Sequence, residues 1–305
     1  MFDITGKRFW FFLISGVVIL IGIISLAVFG LRAGVEFSSG SMMTVDFEQE
    51  VNQAELKQEL ASLGYGNVIV QRIGAGDFLI RLPELSGGAK TELEASLTTR
   101  LGALEVRGFD SVSPMVATET AHNAAIAVAV AAIGILLYIT WAFRRMPNPL
   151  HYGTCAIVAL VHDVLVAVGV FSILSGILGW EINLMFITGI LAVIGYSVNN
   201  TVVVFDRIRE NLRKGISSSF EVVVNNSLVE TLSRSLNTSL TTLIVVLALL
   251  LFVGASIQNF AVVLMIGIIA GTYSSLCIAP QLLVVWEKGE WGRFIQWLPL
   301  PPAKS

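Results

Sequence analysis

The stretch Gly189-Ile190-Leu191-Ala192-Val193-Ile194-Gly195-Tyr196-Ser197-Val198-Asn199-Asn200-Thr201-Val202-Val203-Val204-Phe205-Asp206-Arg207-Ile208-Arg209-Glu210-Asn211 is an apolar helix with two adjacent amides that ends in alternating charge. It is long enough to enter a bilayer, and the rest of the chain is read outward from it. In hydrocarbon, Asn199 and Asn200 would leave donors and acceptors unpaired at about 1–3 kcal/mol each, so both are expected to face protein or water. Such a polar interruption is read as a functional site. The plain alternative is hydrogen-bonding glue between packed helices. Ser197, Asn200 and Thr201 are spaced i, i+3, i+4 and share one face.

Of 305 residues, 55% are apolar and only 13% charged, with a mean hydropathy of +0.78, whereas soluble domains carry about 25% charged residues. This predicts a polytopic α-helical membrane protein. Six runs reach the roughly 20 residues that a hydrocarbon core requires: 9–31, 120–143, 153–178, 184–205, 236–255 and 260–286. The first follows Lys7 and Arg8 and has no clear small-x-small cleavage site, so it reads as a retained anchor. Cys155 and Cys277 lie inside apolar runs and read as inert packing residues; no metal site and no cofactor are expected.

Loop charge sets the orientation. With a cytoplasmic N-terminus, the inside segments hold Arg144, Arg145, Arg207, Arg209, Arg213, Lys214, Arg234 and Lys288, while the short outer turns, around Gly179 to Asn183 and Ser256 to Asn259, hold only Glu181. The long interval from Arg32 to Glu119 carries 7 basic and 13 acidic residues and belongs outside. An even number of spans then puts both termini in the cytoplasm. The expected divisions are 1–35 (tail and first span), 36–118 (extracytoplasmic α+β domain), 119–287 (five-helix bundle, with an interface helix near 206–233) and 288–305 (cytoplasmic tail).

Within the outer interval, Ser41 to Phe47 alternates as a strand after the elbow Gly34-Val35-Glu36-Phe37-Ser38-Ser39-Gly40. A helix follows, opened by Asn52 with Glu55 as a capping box and closed by Gly64. Next come a hairpin of 67–73 and 77–82 around Gly74-Ala75-Gly76, a second helix over 88–101 and a last strand over 103–112. The order β-α-β-β-α-β predicts a ferredoxin-like domain between the first and second membrane helices. Its charges, such as Glu92, Glu94 and Arg100, read as a solvated helix face, so contact is expected of this domain and catalysis is not.

His162-Asp163 lies about ten residues into the third run, some 15 Å deep by helical rise. Asp163 is either a structural pair with His162 or a neighbouring helix, or a protonatable site. Ahead of the fifth run, Arg234, Thr238 and Thr241 share a face, so that Arg234 either snorkels to headgroups or begins a polar seam toward the fourth span.

The segments Gly195 to Asn211 and Thr231 to Thr242, together with His162-Asp163 and the elbow, resemble the SecF branch of the SecD/SecF family of bacterial protein-export membrane subunits, in the resistance-nodulation-division superfamily. The resemblance runs from Lys7 to Trp286. It implies a non-enzymatic six-span subunit of the bacterial plasma membrane that pairs with SecD. Such a subunit acts at the SecYEG translocon and uses the proton-motive force to draw preproteins outward. Asp206, Arg207, Arg209 and Glu210 belong to the family signature, and the family's proton site is usually drawn around an Asp at the position of Asn200 with an Arg at that of Arg234. Here Asn200 cannot titrate, so the resemblance leaves the proton to Asp163, to SecD or to neither. Glu36 and Ser39 replace the Asp and Gly usual in the elbow. Two other readings stand beside this one: a structural SecD-pairing subunit without its own proton site, and a small-molecule exporter of the same superfamily. No nucleotide-binding motif is present, neither ATP hydrolysis nor nucleic-acid binding is expected, and membrane lipid is the remaining partner.

Overall fold

The computed structural model describes residues 3–66, 68–73, 76–252 and 257–292. Residues 67, 74–75, 253–256 and 293–305 lie outside the described residues, and with them the expected hairpin turn at Gly74-Ala75, the end of the fifth run and most of the C-terminal tail. The chain divides into two compact units, Ala33–Ile126 and Met1–Arg32 with Ala127–Ser305.

In the first unit, the turn α2 (Val35–Ser38) follows the two-residue strand β1 (Arg32–Ala33) and leads into β2 (Gly40–Phe47). Then come α3 (Gln53–Ser62), β3 (Ile69–Ile73), β4 (Asp77–Leu82), α4 (Gly87–Leu101) and β5 (Leu104–Val112). The four strands β2 to β5 form one antiparallel sheet in the order β3-β4-β2-β5, with Val45 opposite Phe78 and Val106. Alternation in β2 and β4 sends Met43, Val45, Phe78 and Ile80 inward, where they meet Leu56 and Leu60 of α3 and Leu93, Leu97 and Leu101 of α4. Asn52 caps α3 by accepting from the Ala54 amide at 2.9 Å. Arg100 donates to Glu59 at 2.7 Å and holds that carboxylate below its usual range. At the elbow, Ser39 has φ +63° and ψ 168°, a conformation that suits glycine. A Cβ on the following Gly40 would lie 2.7 Å from the Leu82 carbonyl oxygen.

Among the described residues, six helices are long and apolar enough to cross a membrane. They are α1 (Arg8–Phe29), α5 (Pro114–Ala142), α6 (Pro149–Leu178), α7 (Leu184–Lys214) and α8 (Phe220–Phe252), and a sixth span made of α9 (Gln258–Cys277) and α10 (Ala279–Lys288). The strand β6 (Glu181–Ile182) lies between α6 and α7. The sixth span bends at Ile278 because Pro280 has no amide hydrogen to continue the ladder. Near 206–233 there is no separate interface helix. The fourth span continues unbroken to Lys214 and the fifth begins at Phe220, each carrying its polar turns beyond the apolar segment.

Small residues let the spans approach closely, as packing in lipid requires. A Cβ on Gly169 of α6 would lie 2.6 Å from Gly22 Cα of α1, and one on Gly271 of α9 would lie 3.0 Å from Ser197 Cβ of α7. The sixth span is the most enclosed; α1, α5 and α8 turn most of their apolar surface outward. At the basic end of the bundle, Phe143 stacks on Tyr152 at 5.3 Å and Phe205 packs edge-on against both. There the buried Arg8 donates to Glu221 and Glu290 at 2.6 Å each and to the Thr5 carbonyl at 2.9 Å. The Asn225 side chain accepts the Ile4 amide at 2.8 Å.

Candidate functional site

Two buried polar clusters cross the bundle. The first is built on Asp163, which is fully enclosed on α6. One carboxylate oxygen lies 2.9 Å from His162 Nδ1; the other accepts from Ser274 Oγ of α9 at 2.7 Å and from Ser197 Oγ of α7. His162 Nε2 is 3.1 Å from Ser15 Oγ on α1, which in turn lies 3.5 Å from the Tyr273 hydroxyl. The Tyr273 ring stacks on His162 at 6.1 Å, and its hydroxyl donates to the Phe11 carbonyl. With Asp163 ionised, His162 donates from Nδ1 and accepts the Ser15 hydroxyl at Nε2, so all three donors around the carboxylate are used. A proton arriving at the carboxylate removes one of those acceptor sites, so that a partner, His162 on one oxygen or Ser197 and Ser274 on the other, must change its hydrogen bond. Among the described residues, the spans α1, α7 and α9 contribute to this arrangement besides α6.

The second cluster centres on Ser239 of α8. Its hydroxyl oxygen receives Thr272 Oγ1 of α9 at 2.6 Å, the Tyr196 hydroxyl at 3.1 Å and Asn200 Nδ2 at 3.4 Å. Ser235, one turn away on the same face, is buried and its hydroxyl has no protein partner among the described residues. The face predicted to be shared by Ser197, Asn200 and Thr201 is buried as a whole but serves both clusters: Ser197 meets α6 and Asn200 meets α8, while Thr201 donates back to the Ser197 carbonyl at 3.2 Å.

Asn199, next to Asn200, is exposed on the outside of the bundle, so that of the two amides Asn200 is the one that faces protein within this chain. The expected seam from Arg234 is corrected: Arg234, Thr238 and Thr241 are exposed too, and among the described residues Arg234 makes no hydrogen bond or ion pair to Asp163 or to the fourth span; the buried face of α8 is Ser227, Thr231, Ser235 and Ser239, one residue further round the helix. Beyond the apolar segment Asp206 pairs with Arg209, and Arg207 bridges Glu210 and Glu230 at 2.5 Å each. Sequence reasoning missed Ser15, Ser239, Thr272, Tyr273 and Ser274, of which only Ser239, four residues from the buried Ser235, left a periodic signal.

The family model for the C-terminal part of protein export membrane proteins SecD/SecF matches residues 92–289, and that for the SecD/SecF GG motif matches residues 24–51. The chain belongs to the SecD/SecF family. It is 43% identical to the protein translocase subunit SecF of Thermobaculum terrenum, with 97% of each chain covered. The protein translocase subunit SecDF of Bacillus subtilis is 36% identical over 94% of this chain and 38% of its own. The crystal structure of SecDF from Thermus thermophilus, titled a translocon-associated membrane protein, superposes with a TM-score of 0.83 at 32% identity, over 94% of this chain and 39% of that one. The chain thus spans about two fifths of the SecDF proteins and nearly all of the SecF relative. Within the SecD/SecF match lie Asp163, Asn200 and Arg234, and within the GG-motif match lies the elbow with Ser39. This is a multi-pass membrane protein of the protein-transport family.

Proposed function

We propose that this chain is a SecF-like subunit that pairs with SecD and uses the proton-motive force to promote preprotein movement through the SecYEG channel. It works in the bacterial plasma membrane with both termini cytoplasmic, and it is not an enzyme. The observation that carries this reading is Asp163, an enclosed carboxylate whose hydrogen bonds tie four spans together. One charge crossing 100 mV is worth about 2.3 kcal/mol, comparable to the cost of exchanging one or two such bonds. The domain at 36–118 is assigned a ferredoxin-like arrangement, consistent with its strand order, and a contact role toward substrate or the outer part of SecD. SecD covers the outward-facing Asn199 of α7 and Arg234 and Asn237 of α8, whose amide and guanidinium groups are poorly suited to lipid.

The test is export into vesicles holding SecYEG, SecD and this chain. Export that depends on the proton gradient and loses that dependence in Asp163→Asn supports the reading. Gradient-dependent export that survives the substitution overturns Asp163 as carrier and favours the structural-subunit reading. That second reading has its own support in Asn200, a group that cannot titrate and is hydrogen-bonded to Ser239.

A further inference from the structure

Where α5 ends and α7 runs out of its apolar segment, a cavity of about 300 Å³ is lined by Trp141, Ala142, Arg144, Arg145, Arg209 and Arg213. Its walls hold four guanidinium groups and no carboxylate. Arg209 shares Asp206, whereas Arg144, Arg145 and Arg213 have no ion-pair partner among the described residues. Two of the arginines are steered by rings: Arg144 Cζ lies 4.5 Å from the Trp141 ring and Arg209 Cζ 5.6 Å from that of Phe143. The nearby Glu210 is already engaged by Arg207 and Lys214. A concentration of unneutralised positive charge in one concave place calls for an anion.

The surroundings say which kind. Ile133, Leu137 and Trp141 of α5 are 58%, 64% and 62% exposed. Spaced by four, they form one apolar stripe along the helix that ends at the mouth of the cavity. Trp141 stands where interfacial aromatics belong, at the end of a span and beside the headgroup layer. We propose that the cavity binds the phosphate headgroup of an anionic glycerophospholipid, with an acyl chain laid along Ile133 and Leu137. Guanidinium forks bind phosphate oxygens two at a time, which an ammonium cannot do.

The probe is dioleoylphosphatidylglycerol added to the full-length chain in nonionic detergent, with bound lipid counted by intact-complex mass spectrometry against dioleoylphosphatidylcholine. The parent chain is expected to prefer phosphatidylglycerol, and the triple variant R144Q/R145Q/R213Q to bind it about a hundredfold more weakly, each charge near the surface being worth a factor of about five. The triple Lys variant retains the charge and is expected to recover only part of the affinity. Thermal unfolding of each variant confirms that it is folded. Equal loss in K7Q/K214Q, which removes charge outside the cavity at the same end, would reduce the effect to diffuse attraction and overturn the site. Displacement of the lipid by millimolar inorganic phosphate would make it a soluble-anion site. Binding of a glutamate-rich peptide in place of the lipid would make it a protein-docking site. Either result overturns the lipid assignment.

Discussion

Replacing Asp163 by Ala and, separately, by Asn divides its structural role from its proton-carrying one. The carboxylate accepts from His162 at 2.9 Å, from Ser274 at 2.7 Å and from Ser197. Ala removes all three acceptors. Ser274 can fall back on the Gly271 carbonyl, 3.3 Å away, which leaves two orphaned donors and a loss of about 2–6 kcal/mol at 1–3 kcal/mol each. Asn keeps the shape. Its carbonyl oxygen serves both hydroxyls, and its amide turns to His162, whose Nδ1 becomes the acceptor once the ring proton moves to Nε2 and is donated to Ser15. That rearrangement costs about 1 kcal/mol, the worth of one hydrogen bond. Denaturant titration in micelles, read by the reactivity of the buried Cys155 thiol, should show Ala unfolding far earlier than the parent and Asn close to it. An Ala variant as stable as the parent would refute the claim that helices converge on this acceptor.

Gly169→Ala should destabilise the chain by about 1–3 kcal/mol in the same titration through overpacking against Gly22, while Gly16→Ala, with open space around it, stays within about 0.5 kcal/mol; equal effects would show that the contact is not tight. Ser39→Gly relieves φ +63° and should raise the unfolding free energy of its unit by about 1 kcal/mol; a lower value contradicts the strain. Asn200→Asp should leave gradient-dependent export unchanged, because Asn200 belongs to the Ser239 cluster and not to that of Asp163; increased export would move the proton site to α7. A thiol at Ser86→Cys should react with impermeant reagent supplied from outside the cell, and reaction only from the cytoplasmic side would reverse the topology.

Length and hydropathy located the six spans because bilayer thickness imposes a run that few other contexts produce. The ends were less legible. The run from 120 begins six residues into α5, because the turn from Pro114 to Glu119 is helical without being a uniformly apolar run, and the one from 236 begins sixteen residues after Phe220, because the polar turns that open α8 are helical all the same. Hydropathy reports where a helix meets lipid, whereas backbone hydrogen bonding decides where it stops. The depth of Asp163 and the burial of Asn200 followed from the cost of polar groups in hydrocarbon. Arg234 misled because a charge draws attention to its own face, while the seam lies on the serine face beside it. Ser15 and Ser274 were invisible for another reason: a hydroxyl in a span can satisfy itself on the preceding carbonyl, so its sequence carries no sign of a distant partner.

The Arg8 clamp bears on how the chain is made. Its two carboxylates lie 213 and 282 residues downstream. At about 5–20 residues per second, the ribosome needs on the order of ten seconds to a minute to supply them. Through that interval the first helix is already threaded while its arginine waits, hydrated or held by headgroups. Closing of the clamp is therefore a late event of biogenesis, timed by the arrival of Glu290, whereas the packing of α1 on α6 through Gly22 and Gly169 needs only the first 178 residues.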